Sequence, residues 1–318
     1  MNLIEEAVII NLFGINVYAF GVYVMLGAVG AMIVIGIMGK FYGLKPGTAP
    51  LTALLGIVLG AACSRLLFCL LNQELGFLTP PSVWLQVNVG GWSMFGLVGG
   101  VFLAGWLGAR IMKESTRKML DIMSLAVLPV IITERIGENR IVDFDISRPL
   151  DNEFLARSFL ATSEEEPCLA TYYLAAATAL IIFIFLLLRI RGNRKDGHTA
   201  ISFLLLFGAA SVVLESLRYD RFLSISFVGL QQVIAAAVLC IGVVLAIKEN
   251  GSFRTSLAVA ALISLPLMIG IVLGLEFALD RTNWNKILLY AAMIATVAVP
   301  AVLGLRLLGR AGKGKLSA

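Results

Sequence analysis

Residues 119–140 read MLDIMSLAVLPVIITERIGENR, and this stretch decides how the chain is threaded through a membrane. Its uninterrupted apolar part, Ile122 to Thr133, has only 12 residues. A helix needs about 20 apolar residues to cross the hydrocarbon core of a bilayer. Taken alone, the stretch therefore suggests a buried or re-entrant segment. The charges that flank it nevertheless favour a full crossing.

The composition of the chain points to a membrane protein. Of the 318 residues, 59% are hydrophobic and 14% are charged, whereas a soluble domain has about 25% charged residues. The net charge is +5, but the basic residues form small clusters between apolar runs, so we do not expect nucleic acid to be a partner. The four cysteines lack the spacing of a metal site, and the sequence indicates no metal or organic cofactor.

Nine segments together predict an all-α transmembrane bundle of about nine spans. They lie at approximately 14–38, 50–71, 91–112, 119–134, 169–188, 199–217, 225–247, 256–278 and 287–307.

The basic residues between the spans predict the topology. The loops after the third and the fifth spans each contain four: Arg110, Lys113, Arg117 and Lys118, then Arg189, Arg191, Arg194 and Lys195. Both loops are cytoplasmic by the positive-inside rule. An even number of crossings must separate them, so the fourth and fifth segments both cross. The same alternation along the chain predicts that the N-terminus lies outside and the C-terminus inside.

Nine basic residues remain that topology does not explain, and three arginine sites among them lie in or at the ends of spans. Arg65 lies in the outer part of the second span, Arg135 ends the fourth, and Arg218 ends the sixth. Arginine within a span costs about 2.5–3.5 kcal/mol or more, and it usually faces a partner or a polar cavity. Guanidinium groups bind phosphate bidentately, so an anionic phospholipid headgroup is the expected ligand. Snorkelling of Arg65 to the headgroups and an ordinary solvated helix end at residues 134–140 remain alternatives.

Several segments, in order along the chain, resemble the prolipoprotein diacylglyceryl transferase family. They are Asn16–Tyr23, Ser64-Arg65, Gly90–Gly96, Arg135-Ile136-Gly137, Leu214–Arg218 and Ser226–Gln232. The resemblance covers roughly residues 12–247, the first seven spans. We therefore expect a seven-helix core over residues 1–251, followed over residues 252–318 by two additional transmembrane helices and a basic tail.

The resemblance implies an enzyme of the bacterial cytoplasmic (inner) membrane. Such an enzyme moves a diacylglyceryl group from phosphatidylglycerol to the lipobox cysteine thiol of a preprolipoprotein and releases glycerol-1-phosphate. Its partners would be phosphatidylglycerol, the signal peptide with its lipobox cysteine, and membrane lipids.

The resemblance also implies a set of site residues. Those expected to bind the phosphate of phosphatidylglycerol are Arg65, Ser93, Gly96, Arg135 and Arg218. Those expected to act in catalysis are Arg135, Glu138, Asp143, Glu215 and Arg218, with Glu138, Asp143 or Glu215 as the proton acceptor.

The chain departs from the family pattern at several positions. Phe95 stands where the family has a histidine, and Phe20 replaces a tyrosine. Glu138 and Ile141 replace two asparagines of the signature, and Asp143 replaces a glutamate. Two other readings therefore stay open. One is a diverged homologue that binds lipid without catalysis or uses a different acceptor, and the other is an unrelated membrane transporter or scaffold.

Overall fold

The computed structural model describes residues 5–6, 8–12, 15–72, 91–142, 157–162, 167–192, 195–218, 223–225, 227–251 and 253–313. The long helices of these residues are α1 (Ala19–Tyr42), α2 (Thr48–Leu71), α3 (Met94–Met112), α4 (Thr116–Gly137), α5 (Thr171–Gly192), α6 (His198–Ser216), α7 (Leu230–Asn250), α8 (Ser256–Arg281) and α9 (Lys286–Lys313).

Short segments outside these helices complete the described structure. A 3-10 turn, Glu138–Arg140, continues α4. Three antiparallel strand pairs join β1 (Glu5–Glu6) to β4 (Ile141–Val142), β2 (Val8–Leu12) to β3 (Ile15–Tyr18), and β5 (Ser224–Ile225) to β6 (Val228–Gly229). The β1–β4 pair joins the segment after the 3-10 turn to the N-terminal part of the chain.

The prediction of an all-α polytopic membrane protein is confirmed. Each of the nine predicted spans overlaps one long helix. Within the described residues, eight of these helices are long and apolar enough to cross a membrane. The remaining one is α4, which matches the segment with the shortest apolar run.

Burial explains why α4 is less apolar than the other helices. It has 22 residues, about 33 Å at 1.5 Å per residue, so it is long enough to cross. Protein surrounds much of it, since Ile122, Leu125 and Leu128 are fully buried. A helix shielded by other helices can carry charged residues such as Asp121 and Arg135, which lipid would not tolerate without partners.

The first compact unit comprises Met1–Phe183 and Arg218–Arg221. In it α2 packs on α3, and α1 packs on α4. Glycines let these backbones touch: a Cβ atom on Gly100 would lie 2.2 Å from the Leu59 carbonyl oxygen, and one on Gly27 would lie 2.7 Å from the Val130 Cα. Such close approach through small residues is typical of helices that pack within membranes.

The second compact unit comprises Ile184–Leu217 and Phe222–Ala318. Here α6 packs on α7, α8 packs on α9, and α9 also contacts α6 and α7. A polar link joins three of these helices. The Gln232 side-chain amide on α7 donates to Glu276 Oε1 on α8 at 2.7 Å and to the Val212 carbonyl oxygen on α6 at 3.1 Å.

The division of the chain at residue 251 into a core and two additional helices stays a prediction. The two compact units are separated at other points, between residues 183 and 184 and on either side of residues 218–221. Helices α8 and α9 lie in the same unit as α6 and α7.

Candidate functional site

Arg65 lies near the end of α2 and is 9% exposed. Its Nη1 atom donates to the Gly91 carbonyl oxygen at 3.0 Å, and its guanidinium carbon lies 5.6 Å from the centre of the Phe68 ring. Gly91 has φ +84°, and a Cβ there would lie 1.9 Å from the Phe68 ring atom Cζ, so glycine is required at this position. Arg65 is thus oriented by the backbone that leads into α3.

Ser93 and Gly96 fasten the start of α3 to α2. The Ser93 backbone N–H donates to the Ser64 carbonyl oxygen at 3.2 Å, and the Ser64 hydroxyl donates to the Ser93 carbonyl oxygen at 2.8 Å. The Ser93 side chain caps α3 by accepting from the Gly96 N–H at 3.4 Å. A Cβ on Gly96 would lie 2.4 Å from the Cys63 carbonyl oxygen. These contacts explain both residues by helix packing, and their role in lipid binding stays a prediction.

A buried group of four charged side chains lies where α4 ends. This charged quartet consists of Glu134, Arg135, Glu138 and Arg218, whose side chains are 4% to 8% exposed. Helix α4 continues through Gly137, which places Arg135 one turn before Glu138. Arg135 Nη1 donates to Glu138 Oε1, and Arg218 Nη2 lies 3.7 Å from the same oxygen. One carboxylate thus holds two guanidinium groups close together.

Glu134 is the member of the quartet that the sequence did not single out as a site residue. Its Oε2 atom lies 3.7 Å from Arg135 Nε. Among the described residues, Glu134 Oε2, Arg135 Nε and Glu138 Oε2 are buried and have no hydrogen-bond partner. Buried polar atoms are normally satisfied, so three unsatisfied ones in one cluster make this cluster a candidate binding site for polar groups. The available signal was the i,i+4 spacing of two carboxylates at the end of a buried helix.

A cavity of about 230 Å³ opens beside Glu134. Its walls come from α1, α2, α3 and α4, and from Trp92 just before α3. Most of the lining is apolar, and Glu134 is the one titratable side chain among the described lining residues. The lining residues are Phe20, Gly21, Val24, Ala28, Ala31, Met32, Ile35, Ala53, Gly56, Ile57, Ala61, Ser64, Trp92, Leu97, Val101, Met123, Ala126, Val130 and Glu134. An apolar cavity with a carboxylate in its wall suits a molecule that has both an apolar part and a polar part.

The two phenylalanines at departures from the family pattern are both buried. Phe20 is 6% exposed and lines the cavity, and Phe95 in the first turn of α3 is also 6% exposed. Neither can transfer a proton.

Two predicted site residues remain. Glu215 is in the last turn of α6, in the second compact unit. Asp143 lies outside the described residues.

The turn between α4 and β4 has a further anchor that the sequence did not predict. The Tyr172 hydroxyl in the first turn of α5 donates to Asn139 Oδ1 at 3.0 Å, which helps to position the turn that contains Glu138. In the part of the chain that the structure describes, no three His, Cys, Asp or Glu side chains are grouped to hold a metal ion.

The fold and this site define a multi-pass membrane protein with a buried cluster of charged side chains beside an apolar cavity. The sequence model of the prolipoprotein diacylglyceryl transferase family matches residues 7–248, more than half of the chain. The chain therefore belongs to the prolipoprotein diacylglyceryl transferase family, a family of transferases that act on lipoprotein precursors. No curated protein matches the sequence.

Proposed function

We propose that this protein transfers a diacylglyceryl group from phosphatidylglycerol to the lipobox cysteine thiol of a preprolipoprotein in the bacterial cytoplasmic membrane. The observation that carries the proposal is the charged quartet, in which Arg135 and Arg218 share one buried carboxylate oxygen of Glu138. Paired guanidinium groups match the geometry of a phosphate, and the apolar cavity beside Glu134 suits the hydrocarbon part of a lipid.

The chemistry needs positive charge at the leaving group. The cysteine sulfur attacks the glycerol carbon, a carbon–sulfur bond forms, and the carbon–oxygen bond to the phosphate breaks. The bonding electron pair passes to the phosphate oxygen, so glycerol-1-phosphate leaves with one more negative charge than the diester had. Arg135 and Arg218 would stabilise that charge. The support for this role is that both contact a common oxygen position, which Glu138 occupies in this structure. Arg65 and the N-terminal end of α3, with Ser93 and Gly96, would bind other phosphate oxygens.

One of three acidic residues, Glu138, Asp143 or Glu215, is the expected acceptor of the thiol proton. Glu138 is held by two arginines, Glu215 lies in the second compact unit, and Asp143 lies outside the described residues. Their roles in proton transfer remain proposals.

Complementation of a bacterial strain that lacks its diacylglyceryl transferase tests the proposal. We expect the wild-type chain to restore growth and Arg218→Ala not to restore it. Arg281→Ala is the matched control, because the Arg281 side chain is 69% exposed and pairs with its neighbour Asp280. It should restore growth as the wild type does. If Arg218→Ala restored growth to the wild-type level, the charged quartet would have no part in the mechanism.

A second candidate function is lipid binding without transfer. It is favoured by the buried side chains of Phe95 and Phe20, which cannot carry a proton at positions where the resemblance gives a histidine and a tyrosine. Retained phosphatidylglycerol binding by a wild-type chain that fails to complement would support this second candidate.

A further inference from the structure

We propose that Glu134 accepts the proton of the acceptor thiol, a role that presupposes the transfer reaction proposed above. The thiol loses its proton in that reaction, and Phe95, which stands at the histidine position of the family pattern, cannot take it. Glu134 is not among the residues that the resemblance implies, and the structure alone points to it.

The position of Glu134 supports this assignment. It lies in the last turn of α4, it is 5% exposed, and its Oε2 has no hydrogen-bond partner among the described residues. The same side chain forms part of the cavity wall. Glu134 thus combines a buried carboxylate oxygen that has no hydrogen-bond donor in the described part of the chain with a place in the cavity wall, and the proposed role needs both.

Comparison with Glu138 sharpens the assignment. Glu138 Oε1 accepts a hydrogen bond from Arg135 and lies 3.7 Å from Arg218 Nη2, and Glu138 is not among the described residues that line the cavity. By contrast, the contact of Glu134 with Arg135 is an ion pair at 3.7 Å, longer than a hydrogen bond. The charged groups that interact with Glu134 are Arg135, Glu138 and Arg218, all members of the quartet. No further charged side chain comes from the described cavity walls of α1, α2 and α3.

The charge balance of the step also fits this role. The quartet contains two arginines and two glutamates, so its formal charge is zero before reaction. When the thiol proton passes to Glu134, the quartet gains one positive charge. In the same step the phosphate of the leaving group gains one negative charge. Proton transfer to Glu134 therefore supplies the quartet with the charge that the leaving group requires.

The pH dependence of the transfer rate tests the assignment. The transfer rates of wild type and Glu134→Gln are compared from neutral to alkaline pH, in vesicles of phosphatidylglycerol with a lipobox peptide. The range should include pH 8.5, because the thiol of an unperturbed cysteine ionises near that pH. At neutral pH we expect Glu134→Gln to be slower than wild type by about 100-fold or more, the usual contribution of a general base. Toward higher pH the peptide supplies its own thiolate, so the deficit of the variant should shrink. Glu134→Asp keeps a carboxylate, and it should retain part of the rate and the pH profile of the wild type.

Several outcomes would overturn the assignment. A wild-type rate for Glu134→Gln at neutral pH would do so, and so would a deficit that is the same at every pH, because a purely structural role does not depend on thiol ionisation. If Glu134→Gln fails to accumulate, an inactive but folded Glu134→Asp with unchanged phosphatidylglycerol binding would contradict it. Absence of transfer by the wild type would instead refute the proposed function itself.

Discussion

Arg135 contacts both carboxylates of the charged quartet, those of Glu134 and Glu138. Arg135→Ala removes a positive charge that compensates the negative charges of two buried glutamates. Breaking a buried ion pair in this way costs about 3–5 kcal/mol of stability. We expect a clearly lower thermal unfolding temperature in detergent. Adding Glu138→Gln to Arg135→Ala removes one of the uncompensated charges and should recover part of the loss.

The control for this experiment is an ion pair at the protein surface. Arg281 and Asp280 are 69% and 51% exposed, and exposed pairs contribute between about 0 and 1 kcal/mol. Arg281→Ala should therefore unfold near the wild-type temperature. Equal unfolding temperatures for Arg135→Ala and Arg281→Ala would contradict the burial of the quartet.

The charged quartet shows which side-chain contacts can be predicted from the sequence and which cannot. The contact of Arg135 with Glu138 follows from the sequence, because spacing on a helix fixes which side chains are neighbours. The place of Glu134 in the cavity wall does not, because it depends on how α1, α2 and α3 pack around α4. Spacing within one helix contains no information on that packing.

At the scale of helices, the contact of α2 with α3 depends on glycine. A methyl group at Gly100 would meet the Leu59 carbonyl oxygen at 2.2 Å, so Gly100→Ala must push the helices apart. Overpacking of this kind costs about 1–3 kcal/mol. The neighbouring Gly99 is the matched control, since nothing lies within 4 Å of a Cβ there.

Unfolding in denaturing detergent measures both glycine variants. Gly100→Ala should unfold more easily than wild type, whereas Gly99→Ala should unfold like wild type or slightly less easily, because alanine favours helix. Equal stability of the two variants would refute close packing at Gly100.

The polar link of the second unit makes a prediction for α8. Glu276→Ala removes the acceptor that lies 2.7 Å from the Gln232 amide, and loss of a buried partner costs about 1–3 kcal/mol. Glu276→Gln keeps an acceptor oxygen at the same place and should be less affected. The thermal unfolding temperatures of the two variants test this prediction. An equal decrease in unfolding temperature for both would show that the hydrogen bond is unimportant.

Helix existence was more predictable than helix contacts. Hydropathy identified the helices that have apolar surfaces. For α4 it identified only Ile122 to Thr133, because α4 is surrounded by protein and can carry the charged residues Asp121, Glu134 and Arg135. The Gln232–Glu276 hydrogen bond joins residues 44 positions apart, and no local pattern of the sequence indicates it.

At the scale of the whole molecule, the topology remains a prediction that reporter fusions can test. If α4 crosses the membrane, a reporter fused after Lys113 lies in the cytoplasm and one fused after Arg157 lies outside. Alkaline phosphatase, which is active only outside, should therefore be inactive at the first site and active at the second. The same result at both sites would mean that α4 does not cross.

The proposed function requires that the protein form a thioether between a diacylglyceryl group and a cysteine. Purified wild-type protein, phosphatidylglycerol labelled in its diacylglyceryl part and a lipobox peptide test it directly by mass spectrometry of the peptide. We predict that the peptide becomes heavier by one diacylglyceryl group and that one glycerol-1-phosphate is released for each modified peptide. A peptide with serine in place of cysteine should give no product. An unmodified cysteine peptide, with phosphatidylglycerol bound to correctly folded protein, would contradict the claim.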